Sequence, residues 1–138
     1  SIKVTRVNLS GGNIMEETAG KIQNSELEVM RVLWRAGGTL PLADIRLTLA
    51  EERGWDDSTT KTLLRRLQSK GAVALERRGV YTARVSEEEY QGQSTRRFID
   101  RLYGGSAKRL VAALVSDGSL SEEDVAELSA MFRVADDE

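Results

Sequence analysis

Between positions 58 and 69 the chain sets out five side chains suited to gripping a polyanion: Ser58, Lys61, Thr62, Arg65 and Ser69. They stand at i, i+3, i+4, i+7 and i+11, so a helix lines them along one face. That stripe holds no acid and no large apolar group. Short hydroxyls let a helix backbone come close to a hydrogen-bonding surface, while Lys61 and Arg65 reach guanine edges or phosphate oxygens. Thr59 joins Ser58 and Lys61 near the helix N-terminus, the end that meets bases in helix-turn-helix proteins. Arg66 adds a further cation next in the chain. A solvated helix face carries the same residue types, so a second basic feature is needed to favour nucleic acid. Arg77-Arg78-Gly79 supplies it, as the basic tip of a hairpin able to rest on a sugar-phosphate backbone.

Other chemistries are excluded by what the chain lacks. It has no cysteine and no histidine, which removes disulfides, thiolate metal sites, cysteine nucleophiles and imidazole bases. A hydrolase built on paired carboxylates would need acids in an apolar setting, whereas the acids here fall in helix-capping positions and exposed runs. The runs Glu87-Glu88-Glu89 and Glu122-Glu123-Asp124 suit helix N-termini, where the dipole accounts for them without a metal. The chain reads as a non-enzyme with no cofactor.

The net charge of −2 hides an asymmetry. Residues 21–84 carry 12 basic and 8 acidic side chains, a net +4, and residues 86–138 carry 6 and 12, a net −6. One half is suited to a polyanion and the other is not. At 138 residues the chain has room for one domain and a small appended unit. No apolar run approaches the roughly 18 residues of a membrane span and no signal sequence is evident, so a cytoplasmic protein without membrane insertion is expected.

The elements that would position the basic face follow from caps and periodicity. Residues 1–20 lack a usable period and read as a flexible leader or appended arm, with Met15 as a natural start. Ser25-Glu26-Leu27-Glu28 predicts a capping box, followed by Leu27, Met30, Leu33 and Trp34 at helical spacing up to Gly37-Gly38. Pro41 suits the first turn of a second helix that buries Leu42, Ile45 and Leu49 and ends near Arg53-Gly54. Asp56 or Asp57 caps a third, running to about Lys70, with Leu63, Leu64 and Leu67 inward. Ala72 to Glu76 and Val80 to Val85 then read as the two strands of a wing. Tyr81, Trp34 and Trp55 are assigned to packing. Ser86-x-x-Glu89 opens a further helix carrying Tyr90, Phe98, Ile99, Leu102 and Tyr103; a short helix spans Ala107 to Val115, and the last starts at Ser121. Helices this short do not bury their apolar stripes alone, so Phe98, Leu102, Val125, Leu128 and Phe132 are expected to face a second copy. The architecture expected is mainly α with a small β-wing: a winged helix-turn-helix over 21–85 followed by a helical dimerisation unit over 86–138.

Three segments resemble the penicillinase-repressor family of bacterial winged-helix transcriptional regulators, the BlaI/MecI/CopY group. They are Ser25-Glu-Leu-Glu-Val-Met-Arg-Val-Leu-Trp34, Trp55-Asp-Asp-Ser-Thr-Thr-Lys-Thr-Leu-Leu-Arg-Arg-Leu67 and Phe98-Ile-Asp-Arg-Leu-Tyr-Gly-Gly105. The resemblance implies a homodimeric repressor on a double-stranded, palindromic operator of TACA/TGTA type, with Ser58, Thr59, Lys61 and Thr62 in the groove-contacting stretch. It also implies derepression by proteolysis or by a ligand, with a membrane sensor-protease as partner in the antibiotic-responsive members. Where those members carry an Asn-Phe cleavage pair, this chain has Ala113-Leu114. The wing is shorter than theirs, and the cysteine-rich tail of the copper-responsive members is missing. From the residues alone, a winged-helix module that binds protein through the same surface remains the alternative.

Overall fold

The computed structural model describes residues 22–136, and the leader expected over 1–20 lies outside them. Among the described residues the chain forms six α-helices and three short strands. Helix α1, Asn24–Arg35, starts earlier than the Ser25 capping box would place it. Gln23 is the N-cap, and the Glu26 carboxylate accepts from the Gln23 backbone N–H at 3.0 Å. The box spacing recurs two residues upstream, and Ser25 lies within the first turn. The shift matters because Glu26 is only 1% exposed and its Oε1 also accepts from the Lys70 ammonium at 2.6 Å. Helix α1 buries Val29, Met30, Val32 and Leu33, so Leu27 and Trp34 sit at the edge of the apolar face.

Strand β1, Thr39–Pro41, was hidden between Gly38 and the second helix. It pairs antiparallel with β3 in the register Leu40 to Tyr81, so the wing belongs to a three-stranded sheet of order β1-β3-β2. Pro41 therefore ends a strand and acts as N-cap of α2, Leu42–Arg53, one residue before the first turn where it was expected. Its missing N–H is tolerated because β1 is an edge strand. Helix α2 turns Ile45 and Leu49 inward, and Gly54 closes it at φ 67°.

Helix α3, Asp57–Ser69, is capped by Asp56, whose carboxylate accepts from the Thr59 backbone N–H at 2.8 Å. Leu63, Leu64 and Leu67 are buried as expected, and so is Thr60. Strands β2, Val73–Leu75, and β3, Val80–Ala83, are shorter than their apolar runs. Between them Arg77–Gly79 forms a single 3-10 turn. Side chains from α1, α2, α3, β2 and β3 make one core, with Trp34 and Trp55 half-buried against it and Tyr81 inside. Burying a side chain such as Leu33 or Leu64 stabilises this core by about 1.5–3 kcal/mol relative to exposure.

Helix α4, Glu87–Tyr103, opens with the expected Ser86 and Glu89 box: the Ser86 hydroxyl accepts from the Glu89 N–H at 3.0 Å. Its start is tied to the core through Trp34, which donates from Nε1 to the Val85 carbonyl at 2.8 Å and lies 5.6 Å from the Tyr90 ring. Helices α5, Ala107–Ser116, and α6, Glu122–Asp136, complete the chain, with Ser106 and Ser121 as caps. The described residues divide into two compact units, 22–95 and 96–136, so the division falls within α4. The first unit, a helix-turn-helix of α2 and α3 followed by the β2–β3 wing, is a winged helix. In the second, none of the side chains described from 96 to 134 is buried.

Candidate nucleic-acid interface

Helix α3 is amphipathic in the way its sequence requires. One face supplies Leu63, Leu64 and Leu67 to the core, and the other leaves Ser58, Thr59, Lys61, Arg65 and Arg66 exposed with Thr62 half-exposed. The Asp56 cap fixes where the helix begins and hence which residues fall in the first turn. The Ser58 hydroxyl donates to Asp56 Oδ1 at 2.9 Å, and the same oxygen takes the Thr59 N–H. Hydrogen bonds from Thr59, its backbone first, and from Ser58 hold the Asp56 carboxyl below the usual carboxylate range. At neutral pH it is therefore charged, in full contact with solvent.

Pairing of the cations separates this surface from its surroundings. On α1 and α2, Arg31 and Arg53 pair with Glu28, and Arg35 with Glu52. Lys61, Arg65, Arg66, Arg77 and Arg78 make no ion pair with any described residue. Their charge remains available to an incoming anion. Arg77 and Arg78 lie together on the turn between β2 and β3, both exposed. Arg78 has φ 61°, a left-handed backbone that strains a side chain other than glycine by about 1 kcal/mol.

Beside the exposed face, Trp55, Thr59, Thr62 and Arg66 line an open hollow of about 370 Å³ that Ser25 of α1 also borders. The Asp56 cap was expected from the sequence, whereas the hollow and the hydrogen bond from Ser58 were not. The Asp56-x-x-Thr59 spacing carried a signal for the cap, though not for the second hydrogen bond from Ser58. Among the described residues no group of three or more acids gathers at metal-binding spacing.

The residues expected at a dimer contact lie on two helices of the second unit: Phe98 and Leu102 on α4, and Val125, Leu128 and Phe132 on α6. All are exposed, Leu102 at 54% and Phe132 at 72%. Val111 and Val115 on α5, with Met131 and Val134 on α6, extend the exposed apolar set beyond the sequence reading. No described helix is long and apolar enough to cross a membrane.

Comparison with known proteins gives a consistent match. The penicillinase repressor family profile covers residues 22–133. An uncharacterized 16.5 kDa protein of Latilactobacillus sakei is 36% identical over 86% of this chain and 82% of its own length. The penicillinase repressor of Bacillus licheniformis is 31% identical over 78% of this chain and 86% of its own. A solved structure of Bacillus licheniformis BlaI, in monomeric form with the blaP half-operator, shares 34% identity over 51% of this chain and 88% of that one, at a TM-score of 0.44. The profile spans both units and the first-unit residues that build the exposed basic face, so the chain belongs to the penicillinase repressor family, a family of DNA-binding transcriptional repressors and not of enzymes.

Proposed function

We propose that this chain represses transcription by binding a palindromic DNA operator of TACA/TGTA type as a homodimer. The observation that carries this reading is the exposed face of α3, where hydroxyls and unpaired cations occupy the first three turns. Ser58, Thr59, Lys61 and Thr62 meet base edges in the major groove, Arg65 and Arg66 follow along α3, and Arg77 and Arg78 rest on the sugar-phosphate backbone. The winged helix over 21–85 grips the DNA. The helices over 86–138 hold the second copy, which covers the apolar side chains left exposed on α4, α5 and α6. The relative from Bacillus licheniformis carries the name penicillinase repressor, which supports the same assignment.

Repression ends when the dimer contact is lost, by proteolysis or by a ligand. A cut between Lys108 and Leu120 separates α6 from the DNA-binding unit and with it the high effective concentration that lets the second wing domain follow the first. A membrane sensor-protease would supply the cut.

The salt dependence of binding tests the function directly. A dimer that neutralises about eight phosphates gives a slope near −7 for log K against log salt. A slope flatter than about −2 on every duplex tried overturns the DNA reading and leaves a protein-binding module.

A further inference from the structure

Strand β3 ends at Ala83 and α4 begins at Glu87, so three residues decide in which direction the helix leaves the core. The middle one, Val85, gives its carbonyl to the Trp34 indole N–H at 2.8 Å. No backbone N–H of α4 competes for that oxygen, because the Tyr90 N–H bonds the Ser86 carbonyl and the Glu89 N–H the Ser86 hydroxyl. A peptide unit is planar, so holding the Val85 carbonyl fixes the plane that joins Val85 to Ser86. One helical turn further on, the Trp34 ring meets the Tyr90 ring at 5.6 Å between centroids. A single indole thus holds the path of the chain at two points, one before α4 and one on it, and two points define a direction.

Other contacts constrain that direction less. Among the described elements no helix or strand of the core runs alongside α4. Val85 and Gln93 bury their side chains, but apolar burial is non-directional and Gln93 Oε1 has no hydrogen-bond partner. An open hollow of about 420 Å³, bordered by Gly37, Gly38, Arg84 and Ser86, lies beside Trp34 and leaves the linker room to turn once the hydrogen bond is gone.

The division between the two units falls within α4, so the helix is common to both. We propose that Trp34 is a positioning residue that sets the spacing of operator half-sites: by latching the start of α4 it restricts the separation at which the two winged helices of a dimer bind together. This deepens the function proposed above and rests on it for DNA and for the second copy. Trp34 lies apart from the exposed face of α3, so its effect falls on the joint binding of two half-sites and leaves each half-site contact intact.

The test titrates the full-length protein, Trp34→Phe and Tyr90→Leu on an operator selected from a random pool, on the same operator with one or two base pairs inserted between its half-sites, and on a single half-site. Phenylalanine keeps an aromatic ring against Tyr90 but has no donor, and Tyr90→Leu removes the ring contact while leaving the donor in place. Sedimentation and a thermal melt check that both variants are folded dimers. Each inserted base pair turns the second half-site by roughly a tenth of a helical turn. For the natural protein two inserted pairs are expected to weaken binding about a hundredfold, the loss of most of the gain from joint binding. For Trp34→Phe the selected operator binds about tenfold more weakly and the inserted ones fall within about threefold of it, with Tyr90→Leu in between. Binding to the single half-site stays the same in all three. Spacing profiles in both variants that superimpose on the natural one overturn the proposal. A loss on the single half-site as large as that on the operator also overturns it, since Trp34 would then serve the core alone, and so does a natural protein indifferent to spacing. Failure of the natural protein to prefer any sequence overturns the operator reading itself, an outcome separable from the others because they leave specific half-site binding in place.

Discussion

Residues on α3 divide by what each would lose if removed. Lys61 stands free in the second turn, so Lys61→Ala is expected to cost about 1–3 kcal/mol on the best operator and to relax base preference, whereas Arg78→Ala weakens operator and random DNA alike. Titrations on both duplexes separate the two, and equal loss on both for Lys61→Ala removes it from the base-reading set. Thr60 presents the opposite case. It is fully buried and its hydroxyl has no hydrogen-bond partner, so Thr60→Val is expected to stabilise the protein by about 1 kcal/mol, read from urea unfolding, with operator affinity unchanged. The outward face of α3 was legible in the residue types because helical spacing alone gathers them. The state of Ser58 was not legible: a serine's donor or acceptor character depends on its neighbour, and that neighbour became visible only with the Asp56 geometry.

At the scale of elements, caps and glycines mark the helix ends well, and the mismatches have local causes. Strand β1 escaped notice because three residues between Gly38 and α2 carry no alternation of their own; pairing to β3 creates the strand. The α1 box moved because two overlapping sets of residues satisfy the same spacing, and burial of Glu26 beside Lys70 decides between them. The late boundary between units was also hidden, since α4 is continuous from Glu87 to Tyr103 while its first turns pack with Trp34. Gly92, within α4, has no positive φ, unlike the other described glycines, and a Cβ there would meet nothing. Neither backbone conformation nor packing requires it. Gly92→Ala is therefore expected to stabilise α4 by about 1 kcal/mol, measured as a rise in unfolding free energy, and a fall would show that the glycine meets a surface absent from the isolated chain.

The whole molecule pairs a unit that carries its own core with one that does not. Residues 22–95 enclose the buried cluster from Val29 to Val85, so a truncation after Thr95 is expected to remain folded, to sediment as a monomer and to bind the operator far more weakly than the full chain. Replacing Leu102 and Phe132 together with glutamate should do the same without shortening the chain, because both apolar side chains lie open to solvent. A full-length protein that sediments as a monomer at micromolar concentration contradicts the dimer. The cut expected in derepression belongs to this scale too. Ala113 and Leu114 are half-buried inside α5, whereas Gly118 to Leu120 form the turn between α5 and α6, which a protease reaches without first melting the middle of a helix.

The chain has two tryptophans, one where α4 joins the core of the first unit and one beside the exposed face of α3. Trp34 donates to the Val85 carbonyl and lies near Tyr90 where α4 begins, and Trp55 borders the hollow beside the face of α3. Each is half-buried, so its emission wavelength follows the polarity around a single indole. Trp34→Phe leaves a protein whose fluorescence reports operator binding through Trp55, and Trp55→Phe leaves one that reports the junction through Trp34. Adding operator to the first should shift or quench its emission in proportion to the bound fraction, while the second should hold steady until the α4 junction loosens. The molecule thus carries separate optical reporters for the proposed DNA face and for the seating of α4 on the core, readable without a label.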